Sequence, residues 1–155
     1  MKVISDTSPI NYLLLINQVD ILPKLFEEII IPDAVKDEMI DINSPAQVQQ
    51  WIRNPPNWLI IQSILELDTT LPELGRGEQS AISLVKTISA DLLIIDERLG
   101  RRVANERGIA TVGTIGVLDD ASKQGFINLE ESIAQLQKTN FRISHRIIQT
   151  LLKNN

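Results

Sequence analysis

The chain has 155 residues, 43% of them apolar, with no cysteine and a formal net charge of −5. That is enough apolar material for one domain over 1–155 to bury a core unaided, while the lack of cysteine excludes a disulfide framework, a thiolate metal site and a cysteine nucleophile. No apolar run reaches the roughly 20 residues of a membrane span and Met1–Ser5 is too short for a signal peptide, so a cytoplasmic protein without a membrane partner is expected.

Short β-rich apolar runs alternate with longer stretches of helical period, the pattern of a parallel α/β sheet covered by helices. Five strands are predicted, over Lys2–Ser5, Glu28–Ile31, Trp58–Gln62, Asp91–Ile95 and Ala110–Val112. Between them, helices are predicted over Ser8–Ile16, Asp33–Ile42, Pro45–Ile52, Gly77–Ser89 and Glu97–Arg107. After the last strand, Ile115–Gln124, Glu130–Gln137 and Ser144–Leu152 are expected to be helical. Ser8 before Pro9 reads as an N-cap with proline at the first helical position, and Gly108 and Gly125 sit where helices should stop. Asn54-Pro55-Pro56-Asn57 breaks the chain before the third strand.

Parallel sheets bind ligands beyond the carboxyl ends of their strands, and two aspartates leave strands there. Asp6 follows Val3-Ile4-Ser5, and Asp96 follows Leu92-Leu93-Ile94-Ile95, an apolar run that reads as a central strand buried on both faces. The alternative for each is a helix cap. Two glutamates add to them because each continues an apolar stripe. Glu38 shares the stripe of Ala34, Val35, Met39 and Ile42, and Glu78 extends that of Ala81, Ile82, Val85 and Ile88. An inward carboxylate costs several kcal/mol without a partner, so a shared cation explains the set economically. Glu78 at a helix start, or Glu38 beside an arginine, is the structural alternative.

An all-oxygen donor set favours Mg²⁺ or Mn²⁺. Divalent ions clustered by carboxylates activate a water and neutralise charge on phosphoryl oxygens, which points to phosphodiester hydrolysis with Asp6, Glu38, Glu78 and Asp96 as catalytic and metal-holding residues. The net acidity weighs against general nucleic-acid binding, but bound cations would restore positive charge where substrate sits. Substrate contacts are expected from Arg76 and from Arg98, Arg101 and Arg102 on the helix after Asp96, with solvated arginines as the alternative. Ser8, Asn11 and Thr114 are the polar residues expected near the crevice, and the lone histidine, His145, reads as a surface or packing residue.

The segments Val3-Ile4-Ser5-Asp6-Thr7-Ser8-Pro9, Ile31-Pro32 to Val35 with Glu38, Leu74-Gly75-Arg76-Gly77-Glu78, Leu92 to Arg98 and Gly113 to Leu118 together resemble PIN-domain proteins, in the prokaryotic branch related to VapC toxins. The resemblance covers nearly the whole chain. It implies a doubly wound, three-layer α/β/α sheet of about five parallel strands and a Mg²⁺- or Mn²⁺-dependent endoribonuclease acting on RNA. It further implies a homodimer and, for a toxin, a small antitoxin partner. The family's acidic positions fall on Asp6, Glu38, Glu78 and Asp96, although many relatives carry aspartate where this chain has Glu78. Glu97 is a possible fifth acid. Self-association is also expected from Ile10, Tyr12, Leu13 and Leu14 together with Ile147, Ile148, Leu151 and Leu152, more apolar surface than one small core easily absorbs.

Two rivals are a phosphoacceptor receiver domain and a catalytically silent PIN-like binding or scaffold protein. The receiver reading lacks an aspartate after Trp58–Gln62 and a lysine after Ala110–Val112. The silent reading is separated from the enzyme by metal affinity and RNA cleavage.

Overall fold

The computed structural model describes residues 1–154. The first half of the chain forms β1 (Val3–Ser5), α1 (Thr7–Leu15), α2 (Ile21–Phe26), β2 (Ile29–Pro32), α3 (Asp33–Ile40), α4 (Ala46–Arg53) and β3 (Leu59–Gln62). The second half forms α5 (Arg76–Ile88), β4 (Leu92–Ile94), α6 (Arg98–Glu106), β5 (Thr111–Val112), α7 (Thr114–Lys123), α8 (Leu129–Gln137) and α9 (His145–Lys153). The strands pair in parallel in the order β3-β2-β1-β4-β5. This is the doubly wound, three-layer arrangement expected from the sequence.

Side chains alternate across each strand, so a sheet covered on both faces buries every residue of its central strands. Val3, Ile29, Ile31 and Ile94 enter one core with residues of α1, α3, α4, α7 and α8. Ile4, Leu93 and Ile95 enter the other with residues of α5 and α6. The order of strands reverses between β1 and β4, which pair in the register Val3↔Leu92, Ile4↔Leu93 and Ser5↔Ile94. A crevice forms beyond the carboxyl ends of two strands at such a point because their connections leave to opposite sides.

Several borders differ from expectation. Helix α1 begins at Thr7, with Asp6 rather than Ser8 in the N-cap position, so Pro9 stands in the first turn, where its missing N–H costs nothing. Helix α3 stops at Ile40, which leaves Ile42 87% exposed and outside the stripe it was expected to share with Glu38. Helix α2 was not expected, because six residues with Pro23 inside them are too few to display a helical period. Gly108 and Gly125 do end α6 and α7, at φ of 78° and 81°, where a side chain would be strained.

The apolar surplus proposed to drive self-association is largely spent inside this chain. Ile10, Leu13, Leu14 and Ile148 are buried, and Tyr12, Leu151 and Leu152 pack against the same core, leaving Ile147 as the exposed member of the set. No helix among the described residues is long and apolar enough to cross a membrane.

Ile94, fully buried beside β1, and Ile42, exposed past α3, test this assignment of the core. Ile94→Ala is expected to cost about 2 to 5 kcal/mol in urea unfolding, whereas Ile42→Ala stays within about 0.5 kcal/mol of wild type.

Candidate active site

Asp6 leaves β1 and Asp96 follows β4 after Ile95, and the Asp6 amide donates to the Ile94 carbonyl at 2.8 Å, which holds the two strand ends together. Asp6 occupies the N-cap position of α1, yet its side chain makes no capping bond. Asp96 is not a cap either. Glu97 caps α6 instead, accepting from the Leu99 and Gly100 amides at 3.2 and 2.6 Å. Both aspartate side chains are thereby released from the helix-capping alternative.

Asp96 is held by α7, whose first residue, Thr114, donates its amide to Oδ1 at 2.7 Å and its hydroxyl to Oδ2 at 2.6 Å. Glu38, on α3, accepts from the Thr7 hydroxyl and, at 3.0 Å, from the Gly77 amide at the start of α5. One residue further on, Glu78 approaches from the same helix end. Gly77 makes this closeness possible: a Cβ there would lie 2.7 Å from both Glu38 carboxylate oxygens and 3.0 Å from Asp6 Oδ1. Gly113 does the same for Asp96, since a Cβ would come within 2.8 Å of its Oδ1 and 3.3 Å of an Arg101 guanidinium nitrogen.

Electrostatics link the carboxylates into one group. Burial raises the Asp6 pKa to about 7, and the charges of Glu78, Glu38 and Asp96 push the same way, opposed by the Thr7 amide. Burial also raises Glu78, opposed by its own backbone amide at the helix start, with Glu38 and Glu97 adding to the rise. Asp96 is raised by burial against the pull of Thr114 and Arg101. Among the described residues, no three or more such side chains already stand in metal-holding geometry. The donor set is nevertheless that of a hard divalent cation: Asp6, only 4% exposed, keeps a buried Oδ1 with no hydrogen-bond partner among the described residues. A cation fits that atom and the carboxylates around it, because no donor among the described residues is spent on it.

The other expected residues divide. Ser8 and Arg101 line the groove that contains Glu78, Asp96 and Glu97. Asn11 opens on a separate hollow with Glu38, Asp41 and Ser44. Arg76 turns to Asp37 at 3.0 Å on the surface. Arg98 and Arg102 flank a shallow patch with Leu99, and Arg102 pairs with Glu106 at 3.8 Å. His145 is exposed at the start of α9. Gly77 carried a local signal, its place immediately before an inward glutamate. Tyr12, Phe141 and Arg142, which line the same groove as Glu78 and Asp96, carried none.

An all-parallel sheet with carboxylates gathered at its switch point has the nuclease-type α/β architecture of PIN domains. The chain belongs to that family: a family model described as a PIN domain matches residues 2–155. Among solved structures, it resembles a PilT N-terminus domain protein from the hyperthermophilic archaeon Sulfolobus solfataricus P2, at 14% identity and a TM-score of 0.54. That likeness covers 93% of this chain and 100% of the other, and at this identity it speaks for the fold alone. No curated protein sequence matches.

The raised Asp6 pKa makes a prediction of definite sign. Its carboxyl binds a proton more tightly folded than unfolded, so this contribution to stability is complete below about pH 4 and is lost as pH rises to about 7. In chelator, Asp6→Asn is therefore expected to gain thermal stability over wild type progressively from pH 4.5 to 7.5. Melting curves with equal pH dependence for the two proteins would contradict it.

Proposed function

We propose that residues 1–155 act as one metal-dependent endoribonuclease domain that hydrolyses RNA phosphodiesters in the cytoplasm, with Mg²⁺ or Mn²⁺ held by Asp6, Glu38, Glu78 and Asp96. The observation that carries this reading is the buried, unpartnered Oδ1 of Asp6, set among carboxylates whose charges raise one another's pKa. PIN-family membership supports nuclease chemistry in general, and the all-oxygen donor set favours Mg²⁺ or Mn²⁺. The chemistry such an ion supplies is activation of a water and neutralisation of charge on the phosphoryl and leaving oxygens.

The chain's own residues have separate tasks in this scheme. Thr114 fixes Asp96 through both oxygens, while Thr7 and Gly77 fix Glu38. Side chains so restrained lose little freedom when they engage a ligand. Glu78, less buried than Asp6 and with its pKa raised by burial, joins the ion's ligands or positions the attacking water. Arg101, beside Asp96 and facing the groove, offers positive charge to the phosphate. A toxin role with an antitoxin, and a homodimer, belong to this reading through the family resemblance.

The decisive assay combines cleavage with thermal unfolding. Wild type is expected to cleave single-stranded RNA with Mn²⁺ or Mg²⁺, to stop in chelator, and to melt higher as either ion is added. Asp6→Asn and Asp96→Asn should lower cleavage by about a hundredfold or more while melting no earlier than wild type without metal. A wild type neither stabilised by these ions nor able to cleave RNA would instead be the silent binding or scaffold protein.

Gly77→Ala tests the close approach itself. The added methyl meets the ends of two side chains that can turn away, so the fold should survive with a melting temperature close to that of wild type. The variant should lose most of its stabilisation by Mn²⁺ because Glu38 and Asp6 no longer converge, and full retention of that stabilisation would remove Gly77 from the site.

A further inference from the structure

We infer that the groove running from Glu78 and Asp96 to the segment 140–147 is the track for a single RNA strand leaving the acids, with Arg142 holding one of its phosphates; the inference rests on the nuclease reading above. The groove encloses about 780 Å³, and Glu78, Asp96, Arg101, Tyr12, Phe141 and Arg142 all line it. Arg101 and Arg142 form no ion pair with a carboxylate among the described residues, although the chain carries 20 Asp and Glu against 15 Lys and Arg. Arg101 acts on Asp96, whereas Arg142 has no carboxylate partner among the described residues, so its guanidinium is left for an anionic occupant, and a lining shared with the candidate acids favours the substrate itself.

The wall that carries Arg142 is anchored. Tyr12 of α1 meets Phe141 edge to face, with ring centroids 4.8 Å apart and an interplanar angle of 86°. The Tyr12 hydroxyl donates to Asn140 Oδ1 at 2.7 Å. These contacts join the segment that carries Arg142 to α1, the helix that follows Asp6. The lining also mixes cations with Phe141, Ile143, Val112 and Ile115. Phosphates match the first and unstacked bases the second, whereas a duplex hides its base faces and offers little to the apolar part.

The probe is a labelled single-stranded RNA oligonucleotide of mixed sequence, with a blunt duplex of the same sequence beside it. Binding is measured in the Asp96→Asn background and cleavage in the wild-type background with Mn²⁺. Arg142→Ala is expected to weaken single-strand binding and raise KM roughly tenfold, the worth of one charged phosphate contact, with kcat unchanged. Its plot of log affinity against log salt should be shallower by about 0.7. The single strand should bind more tightly than the duplex. Lys24→Ala, which makes the same charge change on α2, outside the groove lining, should leave both affinity and slope as they were.

If wild type cleaves but Arg142→Ala binds with unchanged affinity and slope, or Lys24→Ala loses as much, the track is wrong while the nuclease reading stands. Tighter binding of the duplex would also overturn it. A wild type that neither cleaves RNA nor gains stability from Mn²⁺ removes the nuclease reading and this inference with it.

Discussion

A carboxylate taken out of water needs a donor, a cation or a proton, and the carboxyl end of this sheet gathers more carboxylates than it has donors. The local hydrogen bonds follow from that shortage. The Thr114 amide and hydroxyl go to Asp96, and the Thr7 hydroxyl and Gly77 amide go to Glu38. Glu97 absorbs the free amides at the start of α6. Asp6 is left with an oxygen that nothing among the described residues satisfies. In native proteins a buried polar atom in this condition calls for an explanation, and a cation is the one that the surrounding charges favour.

The fold creates that shortage by making the strand ends meet. A parallel sheet must be covered by helices on both faces, so each central strand is apolar until it leaves the sheet, and polar groups concentrate at its ends. Because β1 and β4 are neighbours, two such ends coincide, and α3 and α5 bring a third and fourth carboxylate over the same edge. Helix α5 can come this close only because Gly77 has no Cβ; any side chain there would occupy the space in which Glu38 and Asp6 meet. Gly113 has the same role beside Asp96.

The charge distribution reconciles an acidic chain with an anionic substrate. Its net charge of −5 describes the whole surface, whereas substrate meets the local field of the crevice and the groove beside it. Arg76, Arg102 and Arg107 form ion pairs with carboxylates outside the groove, whereas Arg101 and Arg142 line it and form none among the described residues. Positive charge is therefore available in the groove that the acids also line.

The sequence by itself determined the elements and their order, because the periods of two and 3.6 residues are local properties of the chain. It also determined that Asp6 and Asp96 leave strands and that Glu38 and Glu78 lie on inward stripes. It did not determine α2, too short to show a period, or the true start of α1, where Asp6, Thr7 and Ser8 are all good capping residues and only the path out of β1 chooses among them. Nor did it separate Arg101 from Arg98 and Arg102: on a helix these differ by a rotation, and which one faces Asp96 depends on how α6 packs against the sheet. The apolar residues of α1 illustrate the same limit, since whether Ile10, Leu13 and Leu14 meet a second chain or this one depends on α3, α4 and α7 packing against them. Contacts between distant segments, such as Tyr12 with Phe141 or Gly77 with Glu38, leave no periodic trace in the chain; only the tertiary structure decided them, because strand order sets which loops share an edge.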